Sequence, residues 1–127
     1  MNLMDLNQKF LDPDRVIARY VALRRIDRDQ LLFGRSQTQR VTAVRHELMW
    51  ILRELTDLTF QQIGERMGGR DYATVWHAVA KISDRFLRDP DYRQYMREVT
   101  RAVSEFEMRQ LDAAVEQRPQ GGLSDVV

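Results

Sequence analysis

Apolar side chains recur along this chain at steps of three and four residues, and no stretch alternates with the period of two that a half-buried strand requires. The pattern predicts an all-α protein. Asp12-Pro13 reads as a helix start, an acidic N-cap with proline at the first helical position, and the helix it opens places Val16, Ile17, Tyr20 and Val21 on one face. Ile26 to Phe33 reads as a short helix or turn anchored by Leu31, Leu32 and Phe33 and ended by Gly34. A loop over residues 34–40 without large apolar groups then leads into the clearest amphipathic helix. Its stripe is Val41, Val44, Leu48, Ile51, Leu52 and Leu55, with Arg45, His46, Arg53 and Glu54 expected on the opposite side.

Thr59-Phe60-Gln61-Gln62 fits a capping box and starts a short helix through Met67, which Gly68-Gly69 ends because glycine accepts the left-handed conformation of a sharp reversal. Asp71 is placed to cap the next helix. That helix buries Val75, Ala78, Val79, Ile82 and Phe86 and leaves Tyr72, Ala73, Thr74 and His77 less constrained. After Asp89-Pro90 a last helix carries Tyr92, Tyr95, Met96, Val99, Ala102, Val103 and Phe106 near heptad spacing, so its stripe serves the core or meets a partner helix. The aperiodic segment from Gln117, with two adjacent glycines, is expected to be a flexible tail. These boundaries give an acidic N-terminal extension over 1–11, a helical domain over 12–103, and a helix end with an acidic tail over 104–127.

Short helix, Gly-Gly turn and capped helix from Thr59 to Phe86 together have the shape of a helix-turn-helix, although such hairpins also occur in all-α domains generally. In a helix-turn-helix the second helix enters the major groove by its N-terminal end, where unpaired N–H groups favour phosphate and the first side chains project toward bases. Here those are Arg70, Asp71, Tyr72, Ala73 and Thr74. Ala73 suits a thymine methyl, Asp71 a cytosine amino group, and Tyr72 a phosphate or a backbone sugar.

Charge strengthens this reading. The 127 residues have a formal net charge of +1, but residues 15–88 carry fourteen basic and eight acidic side chains, net +6, between flanks of net −2 and −3. Of the twenty basic residues only Lys9 and Lys81 are lysines. Arginine's planar fork suits phosphates and base edges, although the same charges also solvate helix faces. Other chemistries drop out. There is no P-loop and no cysteine, which excludes nucleotide hydrolysis of that type, disulfides and thiol chemistry. His46 and His77 lie on different helices without the spacing of a zinc site, so neither a metal nor another cofactor is expected. No signal or membrane-spanning stretch is present, and a cytoplasmic, nucleoid-associated location is expected.

The string Leu-Thr-Phe-Gln-Gln-Ile-Gly-Glu-Arg-Met-Gly-Gly-Arg-Asp-Tyr-Ala-Thr-Val-Trp-His-Ala-Val-Ala-Lys-Ile, residues 58–82, resembles the signature of the C-terminal DNA-binding domain of the DnaA replication initiator. The resemblance extends upstream through Val16–Tyr20, Asp29–Leu32 and Val44–Met49 and downstream to about Val103. It implies a compact multi-helix, Trp-repressor-like fold, with double-stranded DNA as partner and no nucleotide. It also implies that Arg70, Asp71, Tyr72, Ala73 and Thr74 face the major groove and that Gln61 touches a thymine methyl. Arg45, His46 and Arg53 would meet phosphates, and the loop over 35–40, with Arg35, Gln37 and Arg40, would enter the adjacent minor groove. Four positions depart from the family pattern: Tyr72 for histidine, Ala73 for threonine, Gln61 for proline, and Gln37 at the expected minor-groove arginine. With about 1–3 kcal/mol at stake per base contact, a different or relaxed sequence preference is expected.

The resemblance thus implies a non-enzymatic DNA-binding regulator of transcription, of the phage-like or gene-transfer-agent-activator kind. A modulator competing at initiator boxes and an adaptor that has lost DNA binding are the alternatives. A transcription or replication protein is the expected partner of the C-terminal helix, where Glu98, Glu105 and Glu107 gather. Trp50 and Trp76 are expected in a core or interface, and His77 in packing or hydrogen bonding.

Overall fold

The computed structural model describes residues 11–35 and 37–116, with side chains described through residue 104. Among them all regular structure is helical: α1 (Pro13–Arg24), α2 (Arg28–Phe33), α3 (Gln39–Leu55), α4 (Phe60–Arg66), α5 (Tyr72–Arg88) and α6 (Pro90–Glu116). Each helix begins on a side-chain acceptor. Asp12, Asp27, Thr38, Thr59 and Asp71 accept from the backbone N–H of Asp14, Gln30, Val41, Gln62 and Thr74, and Asp89 accepts from those of Asp91 and Tyr92. Such a cap stabilises a helix by about 1 kcal/mol. The short second helix therefore starts at Arg28, behind the Asp27 cap, two residues later than Ile26.

Helix α3 is the axis of the fold, packed against α1, α2, α4 and α5, while α6 closes over α1 and α5. Val44, Leu48, Ile51 and Leu52 form its buried stripe as the periodicity predicts, joined by Met49 and Trp50 on its flanks. Val16, Ile17, Tyr20, Ile63, Met67, Val75, Ala78, Ile82, Met96 and Val103 complete the core. Phe33, expected to anchor the second helix, is instead 61% exposed; Leu31 and Leu32 do the anchoring.

A helix surrounded in this way has no wholly polar side. Arg45, expected to face outward, is only 4% exposed. Its guanidinium donates to the carbonyls of Leu31 (2.8 Å), Gln30 (3.0 Å) and Gly34 (2.8 Å), satisfying the C-terminal end of α2 from inside the molecule. Glu47 is buried too. Its carboxylate accepts from the hydroxyls of Tyr20 (2.7 Å) and Tyr95 (3.2 Å), with Arg24 at 4.0 Å, tying α1, α3 and α6 together. Burial, with Glu47 beside it, pushes the Tyr20 phenol well above its ordinary range.

Helix α6 runs without a break from Pro90 to Glu116, so the helix end expected beyond residue 103 is a continuation of the same helix. Upstream, the Leu11 N–H donates to the Leu55 carbonyl at 2.9 Å, joining the residue before the first cap to the end of α3. The rest of the acidic N-terminal extension, Ser36, the side chains of Glu105 and Glu107, and the tail from Gln117 lie outside the described residues.

Candidate nucleic-acid interface

The hairpin between α4 and α5 is built by glycine. Gly68 and Gly69 take φ of +81° and +80°, the left-handed region that side-chain-bearing residues rarely adopt. The N–H groups of Gly69 and Arg70 both donate to the Gly64 carbonyl, at 3.0 and 2.9 Å. At Gly68 a Cβ would stand 2.2 Å from the Leu32 carbonyl, so the turn is pressed onto α2 as well as reversed. Upstream, the Thr59–Gln62 capping box is complete: Thr59 Oγ1 accepts from the Gln62 N–H and Gln62 Oε1 from the Thr59 N–H. Downstream, Asp71 Oδ1 accepts from the Thr74 N–H at 2.8 Å. That hydrogen bond holds the Asp71 carboxyl below the usual carboxylate range and commits one of its oxygens to the cap.

This geometry sets out the first turn of α5 in solvent. Tyr72 (56% exposed), Ala73 and Thr74 all lie on the surface, and so do Trp76 (45% exposed) and His77 one turn on, their rings 5.1 Å apart and perpendicular. His77, expected to be less constrained and to pack or hydrogen-bond, is exposed and packs edge-to-face on Trp76. It stands four residues after Ala73 and three after Thr74, on the same helical face, and that spacing is the signal which places it beside them. Trp50 does sit in the core, its Nε1 donating to Ser83 at 3.1 Å, whereas Trp76 points out.

Arg70 is not a free reading arm. Its guanidinium donates to the carbonyls of Leu32, Met67 and Gly34, fastening the turn to the end of α2. Burial, followed by the charges of Arg45 and Arg35, lowers its pKa from the ordinary arginine value. Arg35 and Gln37 share a cleft of about 330 Å³ with Gly68, Gly69 and Arg70, so the basic loop lies directly beside the hairpin. Gln37 also lines a groove of about 480 Å³ with His46, Lys81 and Arg85 along the flank of α5. His46 is half-buried there, and burial, with Lys81 and Arg45 nearby, lowers its pKa. Arg40 and Gln61 are exposed on the first turns of α3 and α4.

Arg53 is exposed yet ordered, its guanidinium 4.4 Å from the Phe60 ring centre and its Nη1 donating to the Leu58 carbonyl at 3.3 Å. Phe60, for which the sequence offers only a place in the capping segment, contacts both Arg53 and Tyr72; its ring centre is 5.6 Å from that of Tyr72, at 83°. Among the described residues no group of His, Asp and Glu has the arrangement of a metal site, and no helix is long and apolar enough to cross a membrane.

The family model for the bacterial dnaA protein helix-turn-helix matches residues 14–82, from α1 through most of α5. The chain belongs to the DnaA helix-turn-helix family. Its relatives are named chromosomal replication initiator protein DnaA. That of Methylacidiphilum infernorum is 39% identical over 69 residues, covering 52% of this chain and 15% of the relative. The DnaA protein of Roseiflexus castenholzii is 33% identical over 93 residues, 72% of this chain and 19% of its own length. That of Cutibacterium acnes is 34% identical over 94 residues, 74% and 19%. The chain thus spans less than a fifth of these DnaA proteins, and the similarity falls on the helical domain that carries the hairpin.

Proposed function

We propose that this chain is a sequence-recognising double-stranded DNA-binding protein whose helical domain, residues 12–103, docks the N-terminal end of α5 in the major groove. The observation that carries the reading is the exposure of Tyr72, Ala73, Thr74 and His77 at the start of a capped helix behind a left-handed Gly-Gly turn, within a helix-turn-helix of the DnaA family. Gln61 approaches the same groove from α4. Arg53 and His46 meet phosphates on either side, and the loop with Arg35, Gln37 and Arg40 enters the adjacent minor groove. Asp71 orders the helix start. Arg45 and Arg70, with their guanidinium groups turned onto backbone carbonyls, shape the interface from behind.

The biological role we infer is regulation of transcription, of the phage-like or gene-transfer-agent-activator kind, by a non-enzymatic protein located with the nucleoid. Its preferred sequence differs from the initiator box, because Tyr72, Ala73, Gln61 and Gln37 replace the family residues at four reading positions. The α6 side of the molecule contacts a protein of the transcription or replication machinery. Modulation of replication at initiator boxes is the second reading, favoured by the similarity to chromosomal replication initiators. Selection of bound duplexes from a random pool tests both. Recovery of a motif unlike the initiator box supports the regulator, recovery of the box supports the replication role, and failure to enrich any duplex at low salt overturns DNA binding.

A further inference from the structure

We propose that Phe60 is a specificity-determining residue of this interface, acting as a positioning residue that fixes the Tyr72 ring in one orientation. The proposal rests on the DNA-reading role given above to the start of α5. Its basis is the three-membered stack Arg53–Phe60–Tyr72, in which a guanidinium lies 4.4 Å from the Phe60 ring centre and the Tyr72 ring stands at 83° to it, 5.6 Å away.

Every member but the last is anchored. Phe60 opens α4 directly behind the Thr59 cap, is partly buried and packs against the hydrophobic core. Arg53 rises from α3, the axis of the fold, and its Nη1 is tied to the Leu58 carbonyl. The Tyr72 backbone is equally constrained, because Asp71 caps α5 through the Thr74 N–H one position before it. What remains free at Tyr72 is its side-chain torsions, and Phe60 occupies one side of the space they sweep. More than half of the tyrosine stays open to solvent, with its hydroxyl available to a base edge.

The consequence concerns discrimination rather than affinity. A tyrosine free to rotate at the mouth of a groove settles against sugar and phosphate of any sequence. One held by its neighbours cannot relieve a mismatch by turning away, so the wrong base pair is penalised. The perpendicular ring contact is of the kind that stabilises one arrangement by a few-fold in population. Phe60 and Tyr72 therefore act as a unit: an aromatic residue at the start of one helix makes an aromatic residue at the start of the next a reader.

The test uses the full chain, the duplex recovered by selection, and a set of duplexes altered at one base pair at a time. Phe60→Leu is expected to lower discrimination at a single base-pair position by about two- to tenfold, over and above any uniform change in affinity that loosening Arg53 brings to every duplex. Tyr72→Ala is expected to lower it at the same position. The double variant is expected to be no worse than Tyr72→Ala alone, and Phe60→Tyr, which keeps a ring, to restore discrimination. Thermal unfolding of each variant verifies the fold. If the two losses simply add, or if Phe60→Leu weakens binding equally on every duplex, Phe60 is only a packing residue and the proposal fails. A wild-type protein that binds all duplexes alike, or none, overturns the sequence-reading role itself; wild-type discrimination with additive variants overturns the positioning role alone.

Discussion

Arg45 and Arg70 meet at one acceptor: the carbonyl oxygen of Gly34 takes a hydrogen bond from Nη2 of each, at 2.8 and 3.0 Å. Two like charges approach one another because the end of α2 offers several carbonyls that have no partner within the helix. Charged donors compensate for their own desolvation only by satisfying such groups, and here they also fasten the hairpin turn to the body of the domain. Arg45→Ala removes three donor contacts to buried or half-buried carbonyls and is expected to destabilise the fold by about 3 kcal/mol, read as a lower denaturation midpoint. A variant as stable as wild type would show that water replaces the guanidinium at no cost.

Gly68 and Gly69 share a left-handed conformation but not a neighbourhood. At Gly69 a Cβ meets nothing within 4 Å, so Gly69→Ala bears only the conformational cost, about 1–2 kcal/mol. At Gly68 the same methyl would press on the Leu32 carbonyl, so Gly68→Ala is expected to be clearly the more destabilising. Chemical denaturation of the two variants side by side checks the order.

Arg53 differs from Arg45 in keeping its guanidinium at the surface. Arg53→Ala is expected to reduce the magnitude of the salt slope of DNA binding by about 0.9, one phosphate's worth. Titrations over a range of salt concentrations read the slope directly, and an unchanged slope would remove Arg53 from the phosphate contacts.

His46 is expected to connect pH to both stability and binding. Its folded pKa is lowered from the ordinary imidazole value of 6.5, by burial first and then by Lys81 and Arg45. The unfolded chain therefore takes up the proton more readily, and the His46 contribution to stability, present above pH 6.5, is lost as the pH falls toward the lowered folded value. A phosphate beside His46 acts in the opposite direction and favours the imidazolium. DNA binding is expected to tighten on acidification while the free protein weakens. His46→Gln should flatten both dependences, measured by thermal unfolding and by binding between about pH 5 and 8.

Tyr72→His combined with Ala73→Thr places the residues of the family pattern at two of the proposed reading positions. Preference is expected to move toward the initiator box. Repeating the duplex selection with the double variant tests this, and an unmoved motif would show that specificity is set elsewhere, at Gln37 or Gln61.

Much of this molecule follows from local physical chemistry that the amino-acid sequence carries. Period and caps determine the helices from Asp12 to Phe86, because an apolar stripe and an N-cap act over one or two turns. The left-handed turn at Gly68-Gly69 is determined in the same way, since only glycine enters that conformation without strain. The match of residues 58–82 to the family signature is likewise a property of the string itself.

The fate of the long polar side chains was decided by tertiary packing. Arg45 and Arg53 lie eight residues apart on α3, yet one turns into the α2 terminus and the other over Phe60 at the surface. Periodicity separates the two, since at about 100° per residue Arg45 falls beside Leu52 at the edge of the apolar stripe and Arg53 falls nearly opposite its centre. What periodicity does not supply is the partner each guanidinium finds, which depends on the neighbouring helix packed against each flank of α3. Glu47 is buried by the same encirclement, and Tyr20 and Tyr95, far apart in the chain, converge on its carboxylate. An apolar side chain goes inward wherever a core is available. A charged one goes wherever the assembled fold leaves unpaired backbone or aromatic faces, and those exist only once the helices have met.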